Sequence, residues 1–369
     1  FEEKSGIQVE FLTGSRPYEL NLAQRIDSGD LPDIAIFPQP AWLNEYAGQV
    51  VDLYTFLDDE YLREQYPEQF LELATIDGRI LGLWNTLHLK SLVWYPRQAF
   101  EKKGYQVPET WDELIALTDQ IAADGWAPWC IGVEDLDASG WVGTDWVEDI
   151  LLRIAPPETY DAWVSHELPF DSPEIRRAFE IMGEIWLNDD YVYGGTARIL
   201  GDNFINSQAH LFEDPPACYL HRQASFARFF VPPEAQFGQD YDFFYLPPID
   251  PQYGKPVLGA GEIFAMFNDR PEVREVMRYL TTPESTEALI KAGGFLSAHK
   301  GTPLEWFPTE ADLRFAQIVR AANTYRFDGS DLMPVPVGLG TFFQGIVKWV
   351  AGADLDQVLK EIDASWPAE

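Results

Sequence analysis

The sequence predicts an α/β protein built from two domains. Short apolar runs of strand character alternate along it with segments of helical periodicity, which favours largely parallel sheets flanked by helices. At 369 residues the chain exceeds the size of an ordinary single core, so we expect two domains. Hydrophobic residues make up 46% of it and charged residues 23%, which is typical of a folded globular protein.

Helix signals recur at regular intervals. Residues 110–125 begin with a threonine and a glutamate in capping-box spacing, continue with an apolar stripe and end at a glycine. Residues 282–294 begin with threonine and proline and end with two glycines, which predicts a second helix. Residues 354–363 repeat the apolar spacing near the C-terminus. Residues 1–5 read as the tail of a helix.

Apolar runs between these helices predict strands. An alternating run at 7–11 predicts a strand directly after the opening helix tail. Because a domain rarely begins with the tail of a helix, we expect an N-terminal piece, with a signal and a first strand, to precede residue 1. The other predicted strands cover residues 33–37, 91–95, 217–220 and 262–267.

The charge of the chain restricts its partners. The formal net charge is −34, from 60 acidic and 26 basic residues. Binding to nucleic acid requires a surplus of lysine and arginine for the phosphates, so we predict no nucleic-acid partner. An anionic membrane surface is disfavoured for the same reason. No run approaches the ~18 apolar residues of a membrane-spanning helix.

Catalytic motifs are not found. The sequence has no GxSxG elbow, no P-loop and no HExxH pattern. Residues 259–264, GAGEIF, have phenylalanine where a dinucleotide-binding fingerprint has its third glycine. Paired carboxylates are the remaining enzymatic option, but none of the 60 acidic residues forms a distinctive pair. The sequence therefore predicts no cofactor.

The two cysteines allow two interpretations. Cys130 and Cys218 are too few for a zinc site, and no histidine lies at ligand spacing from either, so we predict no metal. They form either two buried free thiols or a disulfide, and a disulfide would imply an oxidising compartment.

Aromatic residues are abundant, at 14% of the chain. Several stand beside polar residues at the predicted ends of strands and helices. A sugar offers C–H faces that stack on aromatic rings and hydroxyls that bind carboxylates, amides and guanidinium groups. Residues 140–153, GWVGTDWVEDILLR, place two tryptophans and an aspartate just before a helical run. This stretch is either core or a platform for a sugar ring.

Seven segments in sequence order resemble one family. They are similar to the extracellular solute-binding component of bacterial ATP-driven sugar importers. The resemblance is to the family 1 group that includes maltose-binding proteins, and in particular to its α-glucoside-binding branch. The segments are residues 28–40, 77–96, 107–117, 129–153, 215–226, 259–269 and 333–352.

The resemblance implies a two-lobed periplasmic-binding-protein fold of type II, with mostly parallel sheets flanked by helices and a hinge between the lobes. The N-terminal lobe would contain residues 1–92 and 256–298, and the C-terminal lobe residues 93–255 and 299–369. Both cysteines then fall in the C-terminal lobe, so the resemblance favours a disulfide between them. It also implies a periplasmic or extracellular location, with a lipid anchor on the preceding segment as one option.

The resemblance also implies a set of ligand contacts. Arg222 is favoured by its rigid fork of donors, and Gly259 and Gly261 would let backbone amides approach a ligand. Two of the expected contacts have structural alternatives, since His88 fits a satisfied structural histidine and Trp146 fits the first buried residue of a helix. The expected contacts are Ser15, Arg16, Gln39, Trp84, Asn85, His88, Lys90, Glu134, Trp141, Asp145, Trp146, His221, Arg222, Gly259, Gly261 and Phe343.

The function implied is capture of a neutral α-glucoside for import, without chemistry. Phe343 aligns with a stacking tryptophan of maltose binders, and its smaller ring favours a mono- or disaccharide over a long oligosaccharide. Trehalose, sucrose, maltose and glucosylglycerol all fit this description. The expected partners are the sugar and the membrane permease subunits of an ABC transporter, and we expect a monomer. The alternative is a carbohydrate-active enzyme, such as a glycosidase with paired carboxylates.

Overall fold

Helices and strands are interspersed along the chain in this computed structural model, which describes residues 1–12 and 18–367 apart from the side chains of Glu19 and Leu20. The expected contacts Ser15 and Arg16 lie outside the described residues. The helices are α1 Glu2–Ser5, α2 Tyr18–Asp27, α3 Pro40–Glu45, α4 Asp59–Gln65, α5 Glu68–Leu73, α6 Arg97–Lys103, α7 Trp111–Ala123, α8 Trp141–Ile154, α9 Pro157–Val164, α10 Pro173–Trp186, α11 Thr196–Ile199, α12 Phe204–Ala209, α13 Pro271–Leu280, α14 Glu287–Ala292, α15 Glu310–Ala321, α16 Gly329–Leu332, α17 Phe343–Val350 and α18 Leu355–Asp363.

The chain also contains other types of helix. A π-helix at Pro336–Phe342 leads directly into α17, and short 3-10 helices include Leu136–Ala138 and Ser225–Phe230.

The strands are shorter than most of the helices. The strands are β1 Ile34–Phe37, β2 Thr75–Ile76, β3 Arg79–Ile80, β4 Leu83–Leu89, β5 Leu92–Tyr95, β6 Ala127–Trp129, β7 Cys218–Arg222, β8 Asp242–Tyr245, β9 Pro256–Met266, β10 Leu296–Ser297 and β11 Thr324–Phe327.

Local capping signals place two helices where the sequence predicts them. In α7 the Thr110 hydroxyl oxygen accepts from the Glu113 amide at 3.2 Å, and the Glu113 carboxylate accepts from the Thr110 amide at 3.2 Å. This capping box satisfies backbone donors that a helix start leaves unpaired. In α18 the Asp354 carboxylate accepts from the Gln357 amide in the same way. Both predicted helices are confirmed.

The predicted helix over 282–294 is wrong in its form, because the segment divides into a 3-10 turn at Pro283–Ser285 and the short α14. The Thr282 hydroxyl donates to the carbonyl of Tyr279, the end of the preceding helix, at 2.7 Å and therefore does not cap a new one. A threonine–proline pair can cap a new helix or follow the end of the preceding one. The sequence pattern is the same in both cases, so it does not distinguish between them.

The predicted strand over residues 7–11 is also wrong. These residues form neither strand nor helix, and Phe11 is 81% exposed. The Val9 amide donates to the Glu2 carboxylate at 2.6 Å. Alternation of apolar residues predicts a strand only where a partner strand is available to accept its hydrogen bonds.

Contacts divide the chain into two compact units. Unit 1 contains residues 1–87 and 261–308, and unit 2 contains residues 88–260 and 309–369. The chain therefore passes between units within β4, within β9 and after residue 308. The lobe boundaries expected from the resemblance stood near residues 92, 256 and 298.

Strand directions differ from the prediction of mostly parallel sheets. In unit 1, β1 pairs antiparallel with the end of β9, and β10 pairs antiparallel with β4. In unit 2, β5 pairs antiparallel with both β7 and β8, while β6 with β7 and β11 with the start of β9 are parallel. Strands buried on both faces read as continuous apolar runs in either direction, so this pattern does not reveal the direction.

A disulfide between Cys130 and Cys218 is present in unit 2, which confirms the pairing that the resemblance favours. It joins the first residue of β7 to the residue after β6, with the two Cα atoms 5.5 Å apart. Closing an 88-residue separation contributes roughly 4.5 kcal/mol in the chain-entropy model. Among the described residues, no helix combines the length and apolar character that crossing a membrane requires.

The core of unit 2 is built around α8. Trp146, in the second turn of this helix, is 1% exposed. Its ring packs edge-on against Trp129 of β6, with the ring centroids 5.2 Å apart, and against Trp186 of α10 at 5.9 Å. This packing fixes α8 against both a strand and a helix, so the residues at its start are held in defined positions.

Candidate ligand-binding site

Five rings of unit 2 contact one another at the start of α8. Trp141, the first residue of that helix, lies edge-on to Phe204 with ring centroids 5.1 Å apart and lies 6.1 Å from Phe226. Phe226 also contacts His88 at 5.4 Å and Phe230 at 6.1 Å. Except for Phe204, these side chains are partly exposed, so they form a surface rather than a closed core. We call these five residues the aromatic wall.

The position of Trp141 is set by the turn that precedes it. Gly140 has a φ of 113° and a Cβ at this position would clash with the backbone of Phe343, so only glycine fits this close approach. The indole N–H of Trp141 donates to the carboxylate of Asp135 at 3.2 Å. Both contacts hold the ring at the helix start, where the sequence predicts a platform.

A row of buried charges of alternating sign lies beside the wall. All six side chains belong to unit 2, and each residue in the row is paired with its neighbours. All are buried. We call this row the charge ladder, and its members in order are Asp328, Lys90, Asp145, Arg222, Asp149 and Arg153.

One end of the ladder is centred on Lys90. Its Nζ donates to Asp145 Oδ1 at 2.8 Å and to Asp328. The same Nζ lies 5.5 Å from the centroid of the Trp141 ring, within cation–π distance. Lys90 therefore links the ladder to the aromatic wall.

The other end of the ladder is centred on Asp149. Arg222 Nη1 lies 3.4 Å from Asp145 Oδ2, and Arg222 Nη2 donates to Asp149 Oδ2 at 2.8 Å. Asp149 also pairs with Arg153 and accepts from the Ser91 hydroxyl at 2.8 Å. Asp145, Asp149 and Arg153 follow Trp141 at steps of four, so one stripe of α8 carries the wall's tryptophan and half of the ladder.

Burial and pairing shift the pKa values in the ladder. Burial alone would lower the pKa of the Lys90 ammonium, but Asp145 and Asp328 attract the charged form and raise the pKa above its ordinary value. Burial raises the pKa of Asp145 to about 6, with Lys90 opposing the rise. For Asp328 burial acts in the raising direction, but the charge and hydrogen bond of Lys90 together with the hydrogen bonds from Ser330 and Asp331 outweigh it, and the pKa is lowered. At neutral pH the Lys90 ammonium thus faces the carboxylates of Asp145 and Asp328.

Glu148 supports the ladder from the next position on α8. Its carboxylate accepts from the amides of Gly329 at 2.8 Å and Ser330 at 3.0 Å and from the Tyr160 hydroxyl at 3.2 Å. Burial, reinforced by the nearby Asp328, raises the pKa of Glu148 well above its ordinary value. This side chain therefore fastens α16 to α8.

The structure brings five of the expected contacts together around the start of α8. His88 and Trp141 belong to the aromatic wall. Lys90, Asp145 and Arg222 belong to the charge ladder and form ion pairs inside the protein. Among the described residues, Asp145 Oδ2 and Arg222 Nε and Nη1 are nevertheless buried without a hydrogen-bond partner.

The remaining expected contacts of unit 2 have other surroundings. Trp146 is core, as the structural alternative predicts. The Glu134 carboxylate accepts from Asn203 Nδ2 at 2.8 Å and from the Leu136 amide at 3.1 Å, and the bond from Asn203 lowers its pKa. Phe343 is 6% exposed at the start of α17.

His221 and Gly259 are also enclosed within unit 2. His221 Nδ1 donates to the Cys130 carbonyl at 2.9 Å, and burial lowers the pKa of this histidine to about 4. A Cβ at Gly259 would clash with the ring of Tyr325, so glycine is required there for packing.

Unit 1 holds the other expected contacts. Trp84 is 1% exposed and its indole donates to the Phe70 carbonyl at 2.6 Å, and Asn85 is buried beside it on β4. A Cβ at Gly261 would clash with the Thr86 carbonyl. Gln39 is half-buried at the N-cap of α3.

Sequence reasoning missed several members of the site. Asp149 and Arg153 follow Asp145 at helical spacing, a readable signal for one stripe of charge. Phe226 stands at the end of a segment that carries the family resemblance, which is a weaker signal. Nothing local marks Asp328, Phe204 or Phe230, because the tertiary fold alone brings them to α8.

Comparison with known proteins identifies the family. A model described as bacterial extracellular solute-binding protein matches residues 1–287. The osmoprotective compounds-binding protein GgtB of Synechocystis is 45% identical over 369 residues, which cover 100% of this chain and 87% of that protein. The alpha-glucosides-binding periplasmic protein AglE of Rhizobium meliloti is 38% identical, with 99% of this chain and 82% of that protein covered.

Solved structures with low sequence identity share the fold. The bacterial solute receptor AcbH superposes with a TM-score of 0.84 at 18% identity, covering 98% of this chain and 91% of its own. Maltose-bound MalE3 of T. maritima superposes with a TM-score of 0.71 at 17% identity, covering 94% and 87%. The predicted α/β fold of two-lobed periplasmic binding proteins is confirmed, apart from the strand directions.

The resemblance to this family and to its α-glucoside branch is confirmed by the same matches. The relatives are solute-binding proteins and not enzymes, in agreement with the sequence prediction. The family is extracellular, which agrees with the expected periplasmic or extracellular location. The chain belongs to the bacterial extracellular solute-binding proteins.

Proposed function

We propose that this protein is the substrate-binding component of an ABC importer and captures a neutral α-glucoside or a related osmoprotective solute. Two relatives that align with nearly the whole chain are named for osmoprotective compounds and for alpha-glucosides. The observation that carries the proposal is the aromatic wall, whose partly exposed rings suit the C–H faces of a sugar.

The proposal of a neutral ligand rests on the charge ladder. Lys90, Asp145 and Arg222 pair with residues of the protein and lie almost entirely out of solvent. A buried ion pair that lost one partner would leave an uncompensated charge, at a cost of about 3–5 kcal/mol. A charged ligand would have to disturb this arrangement, whereas a neutral sugar leaves it intact.

The proposal of a small ligand rests on Phe343. Its side chain is 6% exposed, so it offers little surface to a further sugar ring. A mono- or disaccharide-sized ligand such as trehalose, sucrose, maltose or glucosylglycerol therefore fits better than a long oligosaccharide. Delivery would be to the membrane permease subunits, and closure of the two lobes over the ligand would accompany capture.

A sugar panel tests the proposal. Ligand that binds only the folded state raises its stability by RT ln(1 + [L]/Kd), so thermal melting with each sugar ranks candidates, and calorimetric titration confirms the best. We expect a neutral glucoside to raise the melting temperature, with galactose, citrate and glucose 6-phosphate as comparison solutes. A response to the charged solutes alone would contradict the proposal.

The enzymatic alternative is tested in the same samples. Incubation with a chromogenic α-glucoside and a chromogenic β-glucoside should release no chromophore. Turnover that survives repurification and disappears on substitution of a carboxylate of this chain would establish a glycosidase instead.

A further inference from the structure

The contact between Lys90 and Trp141 joins the charge ladder to the aromatic wall. The Lys90 ammonium lies 5.5 Å from the centroid of the Trp141 ring. A cation over the face of a tryptophan is attracted by the ring's electrons, and the attraction is stronger where water is excluded. Lys90 is 5% exposed, so this contact is made largely out of solvent.

The ammonium itself is held in place from two sides. Asp145 accepts from it on α8, and Asp328 accepts from it at the start of α16. Asp328 is anchored in turn, because its carboxylate accepts from the Ser330 hydroxyl at 2.8 Å and from the Asp331 amide at 3.1 Å. Its own amide donates to the Gly259 carbonyl at 2.8 Å. The cation therefore has little freedom to move toward a ligand.

The Trp141 ring is fixed at three points. Its N–H is bonded to Asp135, its edge meets Phe204 at an interplanar angle of 71°, and the Lys90 ammonium lies near its ring. A binding surface that is ordered before the ligand arrives spares the free energy of ordering it during binding. Fixing this one ring would thus strengthen sugar binding without any contact between Lys90 and the sugar.

We propose that Lys90 is a positioning residue, which holds the Trp141 ring ready for a sugar and does not bind the sugar itself. Asp145 and Asp328 act with it by holding the ammonium in place. This assignment rests on the proposed function for its binding readout, but the order of the Trp141 ring is measurable without any ligand.

The first experiment measures the ring directly. The protein is labelled with 5-fluorotryptophan, and the Trp141 signal in the fluorine NMR spectrum is assigned by its loss in Trp141→Ala. In the double variant Lys90→Met with Asp328→Asn, which removes one charge of each sign, we expect this signal to shift or broaden in the absence of sugar.

A matched control separates positioning from general destabilisation. Ile150→Val alters the buried core on the same helix and should leave the Trp141 signal in place while lowering the melting temperature. If the double variant does not fold, Lys90→Arg keeps the positive charge but places a larger group beside the ring, and it should also shift the signal. An unchanged Trp141 signal in whichever Lys90 variant folds would overturn the proposal.

The second experiment asks whether Lys90 acts through Trp141. With the sugar that binds best in the panel, the double variant should bind about tenfold more weakly than the wild type. The same two substitutions should cause no further loss in a Trp141→Ala background. An undiminished loss in that background would show direct contact between Lys90 and the sugar and would overturn the proposal.

The two proposals fail in different ways. If no sugar binds the wild type, the proposed function fails, and the ligand-free fluorine signal alone decides whether Lys90 positions the ring. If sugar binds but the signal does not respond to substitution of Lys90, the function stands and the positioning role falls.

Discussion

At the residue scale, two tryptophans five positions apart on α8 have different surroundings. Trp141 is partly exposed beside Phe204 and Phe226, whereas Trp146 is enclosed by Trp129 and Trp186. The difference follows from the helical period, since a step of five turns the second side chain away from the first. Trp146 therefore belongs to the core, and Trp141 remains our proposed ligand contact.

Substitution of each tryptophan by alanine should separate these roles. Trp141→Ala should weaken sugar binding by about 1–3 kcal/mol, roughly five- to a hundred-and-fiftyfold, because a stacking face is lost. Trp146→Ala should instead reduce folding stability by about 3–5 kcal/mol, because it leaves a cavity. Calorimetric titration and thermal melting of both variants measure the two quantities. Unchanged affinity in folded Trp141→Ala would remove this residue from the site.

Burial of His221 makes stability depend on pH. Its pKa is lowered to about 4 from an ordinary value of 6.5. Between these pH values the histidine is therefore protonated in the unfolded state but neutral in the folded state. The contribution of His221 to the free energy of unfolding is therefore fully favourable above pH 6.5. As the pH falls from 6.5 to 4, the free energy of unfolding decreases by roughly 3 kcal/mol.

Urea unfolding between pH 7 and pH 4 measures this effect. His221→Asn, whose amide is expected to replace the bond to the Cys130 carbonyl, should flatten the pH dependence by about one proton. Burial also lowers the pKa of His299, in unit 1, to about 4. A variant in which both histidines are substituted should therefore show an even weaker dependence of stability on pH. Equal slopes for wild type and His221→Asn would contradict the argument.

At the element scale, α8 organises unit 2. One stripe of the helix carries Trp141 and three members of the charge ladder, while Trp146 packs into the core. The helix also binds α16 through Glu148. The start of α8 depends on Gly140, where the chain passes against the backbone of Phe343.

Gly140→Ala should therefore destabilise the protein in two ways. The left-handed φ of 113° alone costs an alanine about 1 kcal/mol, and the clash with Phe343 adds to it. Gly104→Ala is the matched control, because Gly104 has a φ of 75° with open space around its position. Thermal melting should show the larger fall for Gly140→Ala, together with weaker sugar binding. Equal decreases in melting temperature for the two variants would show that the clash with the Phe343 backbone adds no free-energy cost.

At the scale of the whole molecule, the chain forms two units and crosses between them at three places. The lobe boundaries near residues 92, 256 and 298 that the resemblance implies remain a prediction. Family membership follows from matches that span most of the chain, and the ligand class is our proposal. Capture by lobe closure is part of that proposal.

Small-angle scattering tests closure. Saturating sugar should decrease the radius of gyration, because closed lobes are more compact. The control is Trp141→Ala with the same sugar. The sugar concentration is chosen so that it saturates the wild type but leaves this variant largely unbound, and the scattering profile of the variant should then match its ligand-free profile. Identical wild-type profiles with and without sugar, with binding confirmed by calorimetry, would exclude closure.

By itself the sequence determined what short stretches of chain decide. The capping box of Thr110 and Glu113, the helix over 355–363 and the buried strands follow from local hydrogen bonding and apolar spacing. Strand direction was decided only by the tertiary structure, since it depends on which distant strand accepts the hydrogen bonds. The failed strand at 7–11 and the divided helix at 282–294 depend on nearby partners, Glu2 and the Tyr279 carbonyl, which the apolar spacing does not reveal. For the site, the sequence places Trp141 and Asp145 just before a helical run, whereas in the structure both lie within α8. Only the fold brings Lys90 and Asp328 to them, where the opposite charges compensate one another out of solvent.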